Sequence, residues 1–480
     1  MKNRIVQTLL ILIVLLLAAC DSRQEYHPGI YSDTGEYTLA EENADPEPED
    51  ETYHDNQPHE DDTEEAVPAT YQQLPDFLMP VAVTLGPGRI LDYYPELPGK
   101  IAILTDTWRT NSNPYQVSPW VTELVERHGP DNVIVYAWSR LDFRSDEVIV
   151  LIEAIANNPE IKMLIISPAW YRTDHIVSIL RETRDDIFVI YLEYRTTNEE
   201  QWHDDLPFRD NNLAWAATNA NLILNIDTMN RTFPAQAMEL GARTLVYFYD
   251  TSIVWAWGEE DYDRSDEYEE SDLHRFMRDK SAEIGLQFVE VDIRGAIQCG
   301  SSFHMFMEET IPHLIEELGT DIVLFGLDNE RVFWSWSMHG FIYLPMSGGW
   351  FEPDIVNLAV NLQISDMTAD STGEIPDMHQ LISEIRQELN ERGLQGRIAA
   401  LPMSTYLLLP LAAAEYGVSW MRGEMQNEGI DINSLEQIMV DIIAERTGLH
   451  NHGVTLTTLV DHGVTYYNYI LAALDHFPIN

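Results

Sequence analysis

Cysteine is nearly missing: Cys20 and Cys299 are the two in 480 residues. So few exclude a disulfide scaffold and any zinc site built from several thiolates. Positive charge is scarce too, with 28 Lys and Arg against 80 Asp and Glu and a net charge of −52. A field of that sign repels nucleic acid and anionic headgroups, so no nucleic-acid partner is expected. It suits a protein exposed to salty or alkaline medium. Long apolar runs are absent as well. The stretch Ile5 to Leu17 falls short of the roughly 20 residues that span a bilayer, and no later run reaches that length.

Catalytic signatures are missing in the same way. There is no Gly-x-Ser-x-Gly elbow, P-loop, His-Glu-x-x-His or glycine-rich dinucleotide turn. The reading is therefore no enzyme, no cofactor and no metal. With 80 carboxylates, chance proximity gives a glycosidase-type acid pair no specific support. His450, His452 and His462 have no ligand spacing. The acidic run Asp261–Glu267 has Asp266 where a calcium loop needs glycine, and reads as a solvated loop.

What is present starts at the N-terminus. Lys2 and Arg4 precede the short apolar core, and Leu17-Ala18-Ala19-Cys20 closes it. A basic start and a short core are the form of a secretory signal. The closing tetrad resembles the lipobox of bacterial lipoproteins, which implies cleavage before Cys20 and a palmitate-type acyl anchor on its thiol. The remainder is expected to be soluble, held on the extracytoplasmic face of a cell membrane. From Gln24 to Gly88 there is no Lys or Arg, and Asp and Glu crowd Glu41 to Glu65. Such a segment buries too little apolar surface to offset its ordering entropy and reads as a spacer.

Beyond Lys100, short apolar runs alternate with amphipathic ones. Expected strands are Ile101–Leu104, Val133–Ala137, Met163–Ile166, Phe188–Leu192 and Leu222–Ile226. A second series is Leu245–Phe248, Phe288–Val291, Ile322–Phe325 and Phe341–Leu344. Runs apolar on both faces suit a parallel sheet covered by helices on both sides. Expected helices include Asp146–Asn158, Asp272–Ile284, Phe303–Leu318 and Met378–Arg392. Gly285 and Gly319 serve as stops for the second and third. The fold class is α/β: two doubly wound parallel-sheet lobes with a mainly helical C-terminal extension. The divisions are a signal peptide over 1–19, an acidic linker over 20–75, lobes over 76–235 and 236–364, and an extension over 365–480 packed on the lobes.

In open α/β sheets, ligands bind beyond the carboxyl ends of the strands. Those positions hold Thr105, Asp106, Thr107 and Trp108, then Ser167 and Trp170, then Glu193 and Asp227. The second series contributes Asp250, Thr251 and Trp255, then Asp328 and Asn329. Hydroxyls and carboxylates hydrogen-bond ligand hydroxyls or amines, and indoles stack on sugars, rings or cations. The set fits a cleft for a small polar solute, cyclic or not, neutral or cationic. Each residue taken alone is more often what caps a strand or fills a contact between lobes; it is the set as a whole that favours a cleft.

The order of these pieces resembles an uncharacterised bacterial family of exported, often lipid-anchored proteins with a type I periplasmic-binding-protein-like fold. The likeness spans roughly Lys100 to Leu358. It rests on Lys100–Thr107, Asn158–Met163, Asn225–Asp227, Ala237–Thr244 and Glu308–Pro312. It implies two α/β lobes around a ligand cleft, as in solute receptors of ABC transporters, closing by a hinge and handing ligand to an ABC permease. The chain departs from the family after Tyr249, where a basic, histidine-containing segment gives way to Asp250-Thr251-Ser252-Ile253-Val254-Trp255-Ala256-Trp257. If that loop touches ligand, specificity differs or binding has been lost. Two rival expectations are a sensor or interaction lipoprotein on the same fold, and a cell-surface hydrolase using paired carboxylates.

Overall fold

The computed structural model describes residues 80–81, 83, 85, 94, 96–105, 107–108, 116–137, 147–167, 173–193, 218–249, 271–293, 300–326, 340–345, 354–364, 377–425, 430–450, 453–461 and 464–480. For 107–108, 116, 137, 147–148, 173–176, 193, 300–305, 461, 464 and 466 only the backbone is described. Cys20, the signal segment and the acidic linker lie outside these residues.

The first sheet is built from runs apolar on both faces. Its strands are β1 (Lys100–Thr105), β4 (Val133–Ala137), β5 (Ile161–Ser167), β6 (Phe188–Glu193) and β7 (Ala220–Leu224). Two short strands, β2 (Thr107–Trp108) and β3 (Gln116–Val117), form a separate antiparallel pair. Across the sheet the order is β4-β1-β5-β6-β7, all parallel. In chain sequence this is 2-1-3-4-5, the order that successive right-handed crossovers generate when winding reverses once. Alternation sends Ile101, Ile103, Met163, Ile165, Ile190 and Leu222 into one core. Ala102, Leu104, Leu164, Ile166, Val189 and Ile223 enter the other. Helix α1 (Pro119–His128) lines the first core with Trp120, Val121, Leu124 and Val125. Helices α2 (Glu147–Asn157) and α3 (Thr173–Thr183) line the second.

The expected strand over Leu222–Ile226 stops two residues early. Asn225 caps helix α4 (Ile226–Glu239), its side chain accepting from the Thr228 amide at 3.0 Å. Helix α4 leads to the second sheet, with β8 (Thr244–Tyr249), helix α5 (Asp272–Ile284), β9 (Gln287–Asp292), helix α6 (Gly300–Leu318) and β10 (Ile322–Phe325). Both α5 and α6 end at the expected glycines, Gly285 and Gly319. The laddered order is β10-β8-β9, all parallel. The expected strand Phe341–Leu344 reduces to single parallel bridges, Val323 with Ile342 and Tyr343 with Ile398. Gly340, at φ 98°, and Pro345, which has no N–H, confine it to four residues. Counting those bridges, the second sheet repeats the 2-1-3-4-5 order. Helix α7 (Ile355–Asn361) and helix α8 (Met378–Glu391) cover one face of it with α6.

The C-terminal segment returns to both sheets. Strand β11 (Ala399–Ala400) ends the second sheet, and helix α9 (Thr405–Met421) then enters the first core through Leu408, Leu409 and Leu411–Ala414. Helix α10 (Ile432–Thr447) packs beside it with Leu435, Met439, Ile442 and Ile443. The expectation of a mainly helical extension holds to this point. A hairpin then replaces the expected helix: β12 (Val454–Asp461) and β13 (Val464–Leu474). Its residues are largely β-branched and aromatic, with Val454 and Leu456 buried and Thr455 and Thr457 exposed. Strand β13 pairs parallel with β7, so the first sheet has seven strands. Two residues later β14 (Phe477–Pro478) pairs with β11 in the second lobe. The chain thus passes between the sheets three times: at Asn225 into α4, over 401–404, and at Asp475–His476. Among the described residues, no helix is long and apolar enough to cross a membrane.

Candidate ligand site at the strand ends

An open sheet of order 2-1-3-4-5 has its crevice where winding reverses, between its first and third strands. Here those strands are β1 and β5. Their last residues are Thr105 and Ser167, which pair directly in register. Both side chains lie on the face of Ile101, Ile103, Met163 and Ile165, since strand alternation repeats every second residue. The preceding row across β4, β1 and β5 is Val135, Ile103 and Ile165. The terminal row is Ala137, Thr105 and Ser167. Bulk therefore falls at the carboxyl edge, and two hydroxyls stand side by side where branched aliphatics stood one row earlier. Thr105 is 2% exposed and Ser167 is 1% exposed, so both are shielded from bulk water. A buried hydroxyl is costly unless hydrogen-bonded, and both of these residues have partners within the fold.

Next to this row, Tyr136 on β4 is buried against the opposite core, and burial raises its phenol above the ordinary range. It stays a neutral donor and acceptor at physiological pH. Thr107 and Trp108 form β2, immediately past the edge, and Glu193 is the last residue of β6, paired with Ile223. Asp227 stands in the first turn of α4, past the end of β7, and its carboxylate accepts from Arg231 at 2.5 Å. Asp106, Trp170, Asp250, Thr251, Trp255, Asp328 and Asn329 lie outside the described residues.

The corresponding edge of the second sheet has different chemistry. Its first and third strands, β8 and β10, end at Tyr249 and Phe325, and Tyr249 pairs with Asp292 of β9. His274 of α5 is 1% exposed, stacks on Tyr247 at 4.3 Å and approaches Glu290 at 2.8 Å. Gly326 follows β10 with φ 108°, and a Cβ built on it would sit 2.1 Å from the Phe248 carbonyl oxygen. The backbone can turn this close to β8 because the residue has no side chain. The strand-end rule selected Thr105 and Ser167, but not Gly326 or the Tyr249–Asp292 pair. A glycine directly after an apolar run was the available signal for Gly326.

Comparison with solved structures gives a likeness over most of the chain. A putative transcriptional regulator from Clostridium difficile 630 aligns over 79% of this chain and 99% of its own, with TM-score 0.56 and 16% identity. The two share a fold. A sugar ABC transporter structure from Actinomyces odontolyticus aligns over 68% of this chain and 84% of its own, with TM-score 0.35 and 10% identity. A leucine-binding protein LivK from Thermotoga maritima aligns over 78% and 98%, with TM-score 0.27 and 14% identity. No curated protein matches by sequence. Residues 100–399 match the family described as "Protein of unknown function (DUF3798)", and the match ends within β11, where the second lobe gives way to α9. Covering more than half of the sequence, that match makes the chain a member of the DUF3798 family.

Proposed function

We propose that this protein is an extracytoplasmic solute-binding lipoprotein, anchored by acylated Cys20 and binding a small polar ligand between its two lobes. The observation that carries the reading is the in-register pair Thr105–Ser167. Two buried hydroxyls close the first sheet at its winding reversal, with a second sheet of the same strand order in the same chain. Hydroxyl donors and acceptors in a shielded site suit a neutral or cationic polar solute, cyclic or not. Trp108, Trp170 and Trp255 would supply stacking faces, and Asp106, Asp227, Asp250 and Asp328 would hold hydroxyls or amines. Thr107, Glu193, Thr251 and Asn329 complete the candidate set. An ABC permease is the natural recipient of the ligand.

The test is a thermal-shift screen of the full chain against sugars, nucleosides, amino acids and polyamines. A ligand at 100 times its Kd should add about 2.7 kcal/mol of stability. The double variant Thr105→Val, Ser167→Ala, which removes both hydroxyls at small cost in volume, should lose most of that shift. Silence across the library, or a shift indifferent to the double variant, overturns the proposed site. Unchanged processing and membrane retention of Cys20→Ser would overturn the anchor.

A further inference from the structure

Helix α4 is embedded in two cores. Its first turns carry Ile226 and Met229, which belong to the first-lobe core with Leu222 and Leu224. Its later turns carry Phe233, Ala237 and Leu240, which belong to the second-lobe core with Tyr247 and Phe325. The rings of Phe233 and Phe325 meet edge to face at 4.6 Å. The handover between cores falls between Met229 and Phe233, and Pro234 follows at once. Proline has no N–H for the carbonyl of Asn230 and its ring crowds that carbonyl, so the helix is weakest in bending there. Two residues earlier the Thr232 hydroxyl donates to the Met229 carbonyl at 2.8 Å, a back-bond that also bends helices.

Proline alone does not mark a joint in this molecule. Helix α9 contains Pro410, but Leu408, Leu409, Leu411 and Ala412 around it all lie in the first core. Helix α6 contains Pro312, between Ile311 and Leu314 of a single core. Helix α4 is distinct because its proline coincides with a change of lobe.

A second contact lies two residues past the proline. Gln236, half-buried, meets His476 through its Oε1, 3.0 Å from the ring Nδ1. Its Nε2 reaches the Asp475 carboxylate at 3.5 Å, the outer limit of a hydrogen bond. Asp475 and His476 are the whole of the third passage between the sheets, from β13 to β14. The Asp475 amide is itself held by the Gly453 carbonyl at 3.0 Å, and the start of α4 is held to β13 by the Asn225 amide on Ala472 at 2.7 Å. Two of the three passages are therefore joined at both ends of α4, by backbone before Pro234 and by one side chain after it.

We propose that α4 is a jointed hinge helix that bends at Pro234, and that Gln236 latches it to the third passage and so sets the resting angle between the lobes. This rests on the two-lobed receptor reading and deepens it. When the lobes rotate, the Asn225–Ala472 bond travels with the first lobe and the Phe233–Phe325 contact with the second. The Gln236–Asp475 contact, which joins the second-lobe half of α4 to a residue whose amide is held by Gly453 beside β12, is then what must stretch.

The test measures lobe separation without ligand. Spin labels at Glu153→Cys on α2 and Asp279→Cys on α5, both exposed, would be placed in the full chain carrying Cys20→Ser and Cys299→Ser. Pro234→Ala, which restores the missing helix bond, should narrow the distance distribution, and Gln236→Ala should broaden it. Gln236→Ala should also speed exchange of the Asp475 amide about three- to tenfold. Distributions and exchange identical to the parent, with circular dichroism unchanged, would overturn the proposal. Should Pro234→Ala fail to fold, the parent chain still decides. Amides 235–238 of α4 should exchange at least about tenfold faster than amides 411–414 of α9, and equal protection overturns the joint. A silent ligand screen would sink the receptor and leave these distances standing, while unmoved distances would sink the hinge and leave any ligand shift intact.

Discussion

The two lobes start from one strand order and finish differently. In the first, β1 pairs with β5 along its whole length, both faces are buried, and β13 with β12 prolongs the sheet to seven strands. In the second, three strands form ladders and the fourth and fifth positions are held by single bridges. Strand order follows from right-handed crossovers, which both halves obey. Depth follows from what a distant part of the chain contributes: two helices and two strands to the first lobe, and to the second the two-residue strand β14 with Phe477 and Ile479. Similar topology should therefore carry unequal stability, and perturbations should separate the lobes.

The largest separation should come from deleting Thr405–Leu474, which removes α9, α10 and the hairpin. Protection of β1 and β5 amides should vanish, a loss on the order of the 5–15 kcal/mol of a whole domain. β1 amides that survive hydrogen exchange would show the first lobe to be self-sufficient. Next is Gly326→Ala, which adds left-handed strain and a clash with the Phe248 carbonyl in the second lobe. A cost of roughly 2–5 kcal/mol is expected in urea unfolding. A change below about 1 kcal/mol would mean that β8 and β10 part easily there.

Smaller, and confined to the first lobe, is Arg446→Ala. Glu123, 3% exposed, accepts from Arg127 at 2.9 Å and is paired with Arg446, which ties α1 to α10. Losing one of two cations around a buried carboxylate should cost about 1–3 kcal/mol, less if Arg127 compensates. A double-mutant cycle with Glu123→Gln would isolate the coupling. Smallest is a pH effect at Glu415 of α9. Burial pushes its carboxyl up, but His128 at 3.5 Å, Arg127 and Arg422 more than offset this and hold it below the ordinary 4.5. A depressed acid stabilises the fold above its unfolded pKa, and that contribution is lost as pH falls through the folded value. The first lobe should therefore lose stability below about pH 4.5, and Glu415→Gln should flatten that slope in thermal melts.

Much of this architecture is legible in the sequence because parallel strands buried on both faces leave a plain mark. Runs such as Lys100–Thr105 and Ile161–Ser167 are nearly continuous apolar stretches with no polar face to confuse them. Thr105 and Ser167 were legible for the same reason, as hydroxyls where the apolar run stops. Their pairing was not, since register depends on which strands become neighbours. The β12–β13 hairpin was hidden by its Thr-rich outer face and by the helical pattern just before it. Gln236 and His476, 240 residues apart, have nothing local to mark them: a glutamine on a helix and a histidine before a strand are ordinary until the fold brings them within 3.0 Å.

The return of the chain's last sixth to the first sheet has a bearing on biosynthesis. A nascent chain emerging from its N-terminus can lay down β1 to β7 early, yet α9, which closes one face of that sheet, begins 181 residues after β7 ends (Leu224 to Thr405). The second lobe, drawn mainly from a contiguous middle stretch, can consolidate while the earlier half still waits with an apolar face uncovered. Assembly order is then the reverse of synthesis order.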